Sequence, residues 1–73
     1  MSMKTLPGTP KIRDIQWMRA DLGSEAVALW LLMQMWYTQK KAGTLASHLR
    51  PQWMATSAWY AQCYQELMMG LIP

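Results

Sequence analysis

His48 and Cys63 are the one histidine and the one cysteine of the chain, and the acids are confined to Asp14, Asp21, Glu25 and Glu66. A thiol paired with an imidazole can act as an activated nucleophile, the ring taking the proton as the sulfur attacks. The plainer reading places Cys63 in the core, where free cysteines commonly pack, and His48 on a helix surface. One histidine and one cysteine cannot complete a four-ligand zinc site within a single chain. No glycine-rich phosphate loop is present either. The expectation is a non-catalytic protein with no metal and no cofactor.

The excess in this chain is aromatic and thioether: Trp17, Trp30, Trp36, Trp53 and Trp59 with eight methionines. Trp30 and Trp36 are assigned to the core, because their surroundings are apolar on most sides. Trp17, Trp53 and Trp59 fit either a core or an interface, since interfaces are enriched in Trp, Tyr, Met and Arg and buried aromatics dominate binding energies. Trp53, Trp59, Tyr60, Gln62 and Tyr64 form the candidate protein-binding set. Trp17 follows Arg13 by one helical turn, a spacing that allows a cation–π contact.

All seven cations (Lys4, Lys11, Arg13, Arg19, Lys40, Lys41 and Arg50) precede Pro51. Lys40 and Lys41 are explained by the negative end of a helix dipole. Lys11, Arg13, Arg19 and Arg50 are the candidate phosphate contacts, in a patch diluted by Asp14 and Asp21. From Pro51 onward the chain offers Ser57, Gln62 and Gln65 but no cation. Gln can read adenine, yet a helix without cations gains nothing from counterion release at phosphates. The expected partner is therefore a protein, with nucleic acid as the alternative.

These residues sit on a chain of 73 residues, one domain near the lower limit for independent folding, able to bury about 60% of its unfolded surface. An apolar fraction of 52% excludes disorder, and a net charge of +3 is only a weak pull toward acidic partners. A single cysteine permits no internal disulfide, which fits a reducing, cytoplasmic compartment. No long apolar run precedes Pro7, so no signal peptide is expected. The longest apolar run, Ala26 to Met33, falls short of the roughly 20 residues of a membrane span, so no membrane partner is expected. Val27, Ile12, Ile15 and Ile72 are the only Val and Ile residues, which favours helix over sheet.

The expected organisation is a flexible arm over residues 1–8 and a single helical domain over 9–73. Thr9 and Pro10 read as the cap and first residue of a helix carrying Ile12, Ile15, Met18 and Leu22 on one face, stopped by Gly23. Ser24 and Glu25 open a second helix that Lys40, Lys41 and Gly43 close, with Gln34, Thr38 and Lys41 as its polar stripe. Residues 44–50 are either an extended entrance with one helical turn or a short helix capped by Thr44, with Pro51 as the stop. A last helix starts at Thr56 or Ser57 and runs to Met69, with Tyr60, Cys63, Tyr64, Leu67 and Leu71 facing inward. Gly70, Leu71 and Pro73 give it a Schellman-type end. Ile12, Ile15, Leu29, Trp30, Leu32, Met33, Tyr60 and Leu67 are the expected core. The fold class is all-α, a small three- to four-helix domain.

The stretch KIRDIQWMRADLGSEAVALWLLMQMWY, followed by GTLASHLRP and CYQELMMGLI, resembles the winged-helix domains at the N-terminus of phage and plasmid replication initiators. The resemblance covers about residues 11–72 and implies a helix-turn-helix arrangement; the family's β-hairpin wing has no clear counterpart. It further implies a role in a DNA-handling machine. Three functions follow as expectations. The first is a phage or mobile-element adaptor or inhibitor acting by protein–protein contact. The others are a duplex-binding regulator or initiator domain, and a homo-oligomeric structural module, since small chains often need a partner for stability.

Overall fold

The computed structural model describes residues 4–72, and the outer ends of the expected arm and domain, residues 1–3 and Pro73, lie outside them. Three helices follow one another: α1 (Ile12–Leu22), α2 (Ser24–Ala42) and α3 (Arg50–Met68). No strand occurs among the described residues, so the fold is all-α.

The first helix begins later than its capping signal suggests. Thr9 does not cap α1. Its N–H and its hydroxyl both donate to the Leu6 carbonyl, at 3.2 and 2.6 Å, closing a turn over Pro7 and Gly8. Gly8 has φ +83°, the positive value that the third position of a type II turn requires. The cap is supplied instead by Asp14, whose carboxylate accepts the Lys11 backbone N–H at 2.8 Å. On both sides of that turn the chain is held on α3. Gln52 donates to the Thr5 carbonyl, Thr56 Oγ1 accepts the Leu6 N–H at 2.8 Å, and Trp59 Nε1 donates to the Pro10 carbonyl at 2.8 Å. From Thr5 onward, the segment expected as an arm lies along one face of α3.

Gly23 alone joins α1 to α2. Its φ of 91° and ψ of 158° lie in a region that side chains with a Cβ avoid. Its N–H donates to the Arg19 carbonyl, and its own carbonyl accepts from Val27. Ser24, expected as the cap, is the first helical residue.

The turn between α2 and α3 corrects the other boundary. Residues 44–49 form turns rather than a helix, and α3 starts at Arg50 with Pro51 inside its first turn. A proline there loses no hydrogen bond, because the first N–H groups of a helix have no partner within it. Thr56, expected as a cap, is buried in mid-helix and donates to the Gln52 carbonyl. Arg50 reaches back, its Nε donating to the Ala42 carbonyl and Nη2 to the Leu45 carbonyl, both at 3.2 Å. The far end of α3 follows the expected Schellman pattern: Leu71 N–H donates to Glu66, Gly70 N–H to Leu67, and Gly70 has φ +74°. The residue that folds into the core is Ile72, while Leu71 is exposed.

Helices α2 and α3 lie antiparallel, side by side. Trp30 meets Tyr60 and, further along, Tyr37 meets Trp53, so the contacts climb one helix as they descend the other. The core between them and α1 is Ile15, Val27, Leu31, Tyr60, Cys63, Leu67 and Ile72, with Ile12, Met18, Trp30, Met35, Trp59 and Tyr64 packed around it. Ile15, Tyr60 and Leu67 are core residues as expected, and Ile12 and Trp30 flank them. Leu29, Leu32 and Met33 are not, with exposures of 63%, 40% and 65%. Trp36 and Leu22 also face outward. The reason is the phase of α2. It buries Val27, Leu31, Thr38 and Ala42, a series at steps of four and seven that includes a threonine and an alanine. Thr38 tolerates burial because its hydroxyl donates to the Gln34 carbonyl at 2.7 Å, so the expected polar stripe of Gln34, Thr38 and Lys41 turns partly inward.

Candidate functional site

The candidate protein-binding residues of α3 are largely engaged by their own chain. Tyr60 is only 6% exposed and meets Trp30 edge-on at 5.7 Å. Trp53 is half-buried against Tyr37, at 6.2 Å. Trp59 is fixed to Pro10 by its indole N–H, and Tyr64 packs on the core. Gln62 is exposed. At about 100° per residue, Trp53, Tyr60 and Tyr64 share the inward side of α3, with Gln62 on the opposite side.

The candidate phosphate contacts divide similarly. Lys11, just before α1, and Arg13 on it are exposed, and Arg19 is half-buried. Arg50 is tied to the carbonyls that close α2, which gives its guanidinium a structural task. The cation–π contact is made by Lys40, whose Nζ stands 4.6 Å from the Trp36 ring centroid.

His48 and Cys63 are not brought together. His48 is exposed in the turn before α3, and Cys63 is fully buried further along that helix, roughly 20 Å away at 1.5 Å per residue. Burial pushes the Cys63 thiol up to about 11, with Glu66 adding a smaller push. Burial also raises Tyr60, with Cys63 as its second cause. Both groups favour the protonated fold. The Cys63 contribution to stability is complete below the unfolded thiol value of 9.0 and is lost as pH climbs toward 11, whereas that of Tyr60 is held until the pH passes its ordinary value of 10.0. Denaturant titrations at pH 8 and pH 10.5 are expected to show a loss on the order of 2 kcal/mol, and Cys63→Ala should remove most of that difference. Equal stability at both pH values would contradict the burial of this thiol.

The surface that sequence reasoning missed is the outer side of α2. Leu29, Leu32, Met33 and Trp36 form one exposed stripe there, with Glu25 and Lys40 at its ends. Beside its first half runs a groove of about 560 Å3 between α2 and α3, walled by Leu29, Leu32, Tyr64 and Met68, with Ser24 and Glu25 at its rim. A second depression, beside Trp17, Met18 and Leu22, is lined by α1 alone and so has a wall on one side only. The outer stripe had one signal in the sequence: the first two turns of α2 are apolar all round, and α1 and α3 packed along its inner side cannot bury the outer one as well. No helix among the described residues is long and apolar enough to cross a membrane.

The chain finds no match among family models, curated proteins or solved structures.

Proposed function

We propose that this chain is a small non-catalytic helical module that works by protein–protein contact, and that its contact surface is the outer face of α2 with the adjoining groove. The carrying observation is that Leu29, Met33 and Trp36 remain more exposed than buried, at 63%, 65% and 64%, on consecutive turns of one helix. A contiguous apolar patch rimmed by charge marks an interaction site more often than a bare surface. Tryptophan and methionine are the residue types that interfaces favour. The resemblance to replication-initiator domains directs the search for a partner to DNA-handling assemblies of phages and plasmids, where the module acts as an adaptor or inhibitor.

Duplex binding through a helix-turn-helix is the competing reading, and Lys11 and Arg13, exposed at the start of α1, are its support. Against it, α3 carries no cation beyond Arg50, and that arginine serves the end of α2. Phosphate neutralisation supplies most of the affinity for nucleic acid, and Lys11 and Arg13, with Asp14 exposed beside them and Lys40 and Lys41 at the far end of α2, supply little of it.

Two arms test the proposal. Random duplex at low salt should show no retardation by the chain. Trp36→Glu should leave unfolding within about 0.5 kcal/mol of the parent, as surface substitutions do, and should abolish capture of a protein partner by the tagged chain. Retardation that falls steeply with salt would overturn the proposal. So would capture that survives Trp36→Glu and is lost with Trp59→Ala.

A further inference from the structure

The six residues of the outer stripe are spaced symmetrically. Glu25, Leu29 and Met33 form one ridge at steps of four, and Leu32, Trp36 and Lys40 form the ridge beside it; all six are exposed. Reversing the helix about a point between Leu32 and Met33 exchanges Glu25 with Lys40, Leu29 with Trp36, and Leu32 with Met33. From this symmetry we propose that α2 is self-complementary, and that two copies of the chain pair antiparallel through this face about a two-fold axis between Leu32 and Met33. The proposal rests on the reading of this face as a protein contact and names its occupant.

Four features favour a second copy. Charge is the first: antiparallel pairing sets Glu25 of each copy against Lys40 of the other, twice per dimer, and sets the two helix dipoles head to tail. A parallel pair would instead place glutamate against glutamate and lysine against lysine. Shape is the second. Trp36 of one copy stands opposite Leu29 of the other, where the groove between α2 and α3 opens, so a large knob faces a ready space. Ridge packing is the third, because rows at steps of four on both helices interdigitate in the commonest class of helix pair. Area is the fourth. The four apolar side chains of the stripe present on the order of 500 Å2 per copy, which doubled reaches the about 1,000 Å2 of a specific interface. The contact uses the same patch on both copies, so it closes at a dimer and leaves no stripe free for further growth.

Sedimentation of the full chain from low to high micromolar concentration, with charge-swapped variants, tests the pairing. The parent is expected to reach the mass of two chains. E25K and K40E should each weaken association by about tenfold at low salt, and the double variant E25K/K40E should restore it, because the swap keeps every antiparallel pair matched. Trp36→Ser should dissociate the dimer with its helical circular dichroism unchanged, since that side chain is 64% exposed. A chain that is monomeric throughout, a dimer indifferent to Trp36→Ser, or a double variant no better than the singles would overturn the proposal. A monomer whose outer face still captures another protein would remove self-pairing alone; a monomer without capture would remove the docking reading with it.

Discussion

Leu31→Ala is expected to cost about 2–5 kcal/mol of unfolding free energy, the range for truncating a buried leucine. Leu29→Ala, two positions earlier on the same helix, should cost well under about 1 kcal/mol. Leu31 is fully buried among Ile15, Val27 and Cys63, whereas Leu29 keeps 63% of its surface in solvent. A chain of 73 residues has about 4–10 kcal/mol of stability in total, so the first variant should be partly unfolded at 37 °C and the second should not. The order reverses for association: Leu29→Ala lies on the proposed contact face and should weaken binding without loosening the fold. Urea titration of both variants checks the pair. Equal losses, or a larger loss for Leu29→Ala, would mean that α2 is rotated from the phase described.

Gly23→Ala should be the costliest change on the surface, at about 1–3 kcal/mol. Nothing lies within 4 Å of the added methyl, so the cost is conformational. At φ 91° and ψ 158° an L-alanine is strained, and this one residue carries both the end of α1 and the start of α2. Gly43 provides the control. It ends α2 at φ −67° and ψ −18°, where alanine fits, and the new methyl would meet the Lys40 carbonyl at an ordinary 3.5 Å. Gly43→Ala is therefore expected to stabilise by about 0.4–1 kcal/mol through the unfolded state. Opposite signs for the two glycines, read from denaturant midpoints, are the expected result; a loss at Gly43 matching that at Gly23 would contradict it.

Local chemistry made the helix ends partly legible in the sequence. Lys40, Lys41 and Gly43 place the close of α2, and Gly70 with Leu71 places the close of α3, because dipole and left-handed turn act within a few residues. Pro51 misled, since proline is excluded from helix interiors but welcome in a first turn, and only the Arg50 contacts to Ala42 and Leu45 show which applies. Thr9 and Thr56 are sound capping residues by type, but the Thr9 hydroxyl closes the turn back on Leu6, and Thr56 bonds back to Gln52 in mid-helix while accepting the Leu6 N–H, a tertiary task that no local pattern reveals. The phase of α2 was illegible for a different reason. Its outward side carries the larger apolar residues, Leu29, Met33 and Trp36, while part of its inward side is Thr38 and Ala42. Hydrophobicity alone therefore points the helix the wrong way round. Of the α3 aromatics, Tyr60 and Tyr64 turn inward as their spacing predicts, while the places of Trp53 and Trp59 follow from Tyr37 on α2 and from Pro10 in the N-terminal segment, which no local pattern shows.

Site-specific photocrosslinking from Trp36 tests most directly whether the outer face of α2 is the working surface. Benzoylphenylalanine placed at position 36, and separately at Gln62 on the outward side of α3, should give protein adducts from position 36 and none from position 62. The adduct mass would report a second copy of the chain or another protein. Adducts from position 62 alone, or adducts only to nucleic acid, would contradict the assignment of that face.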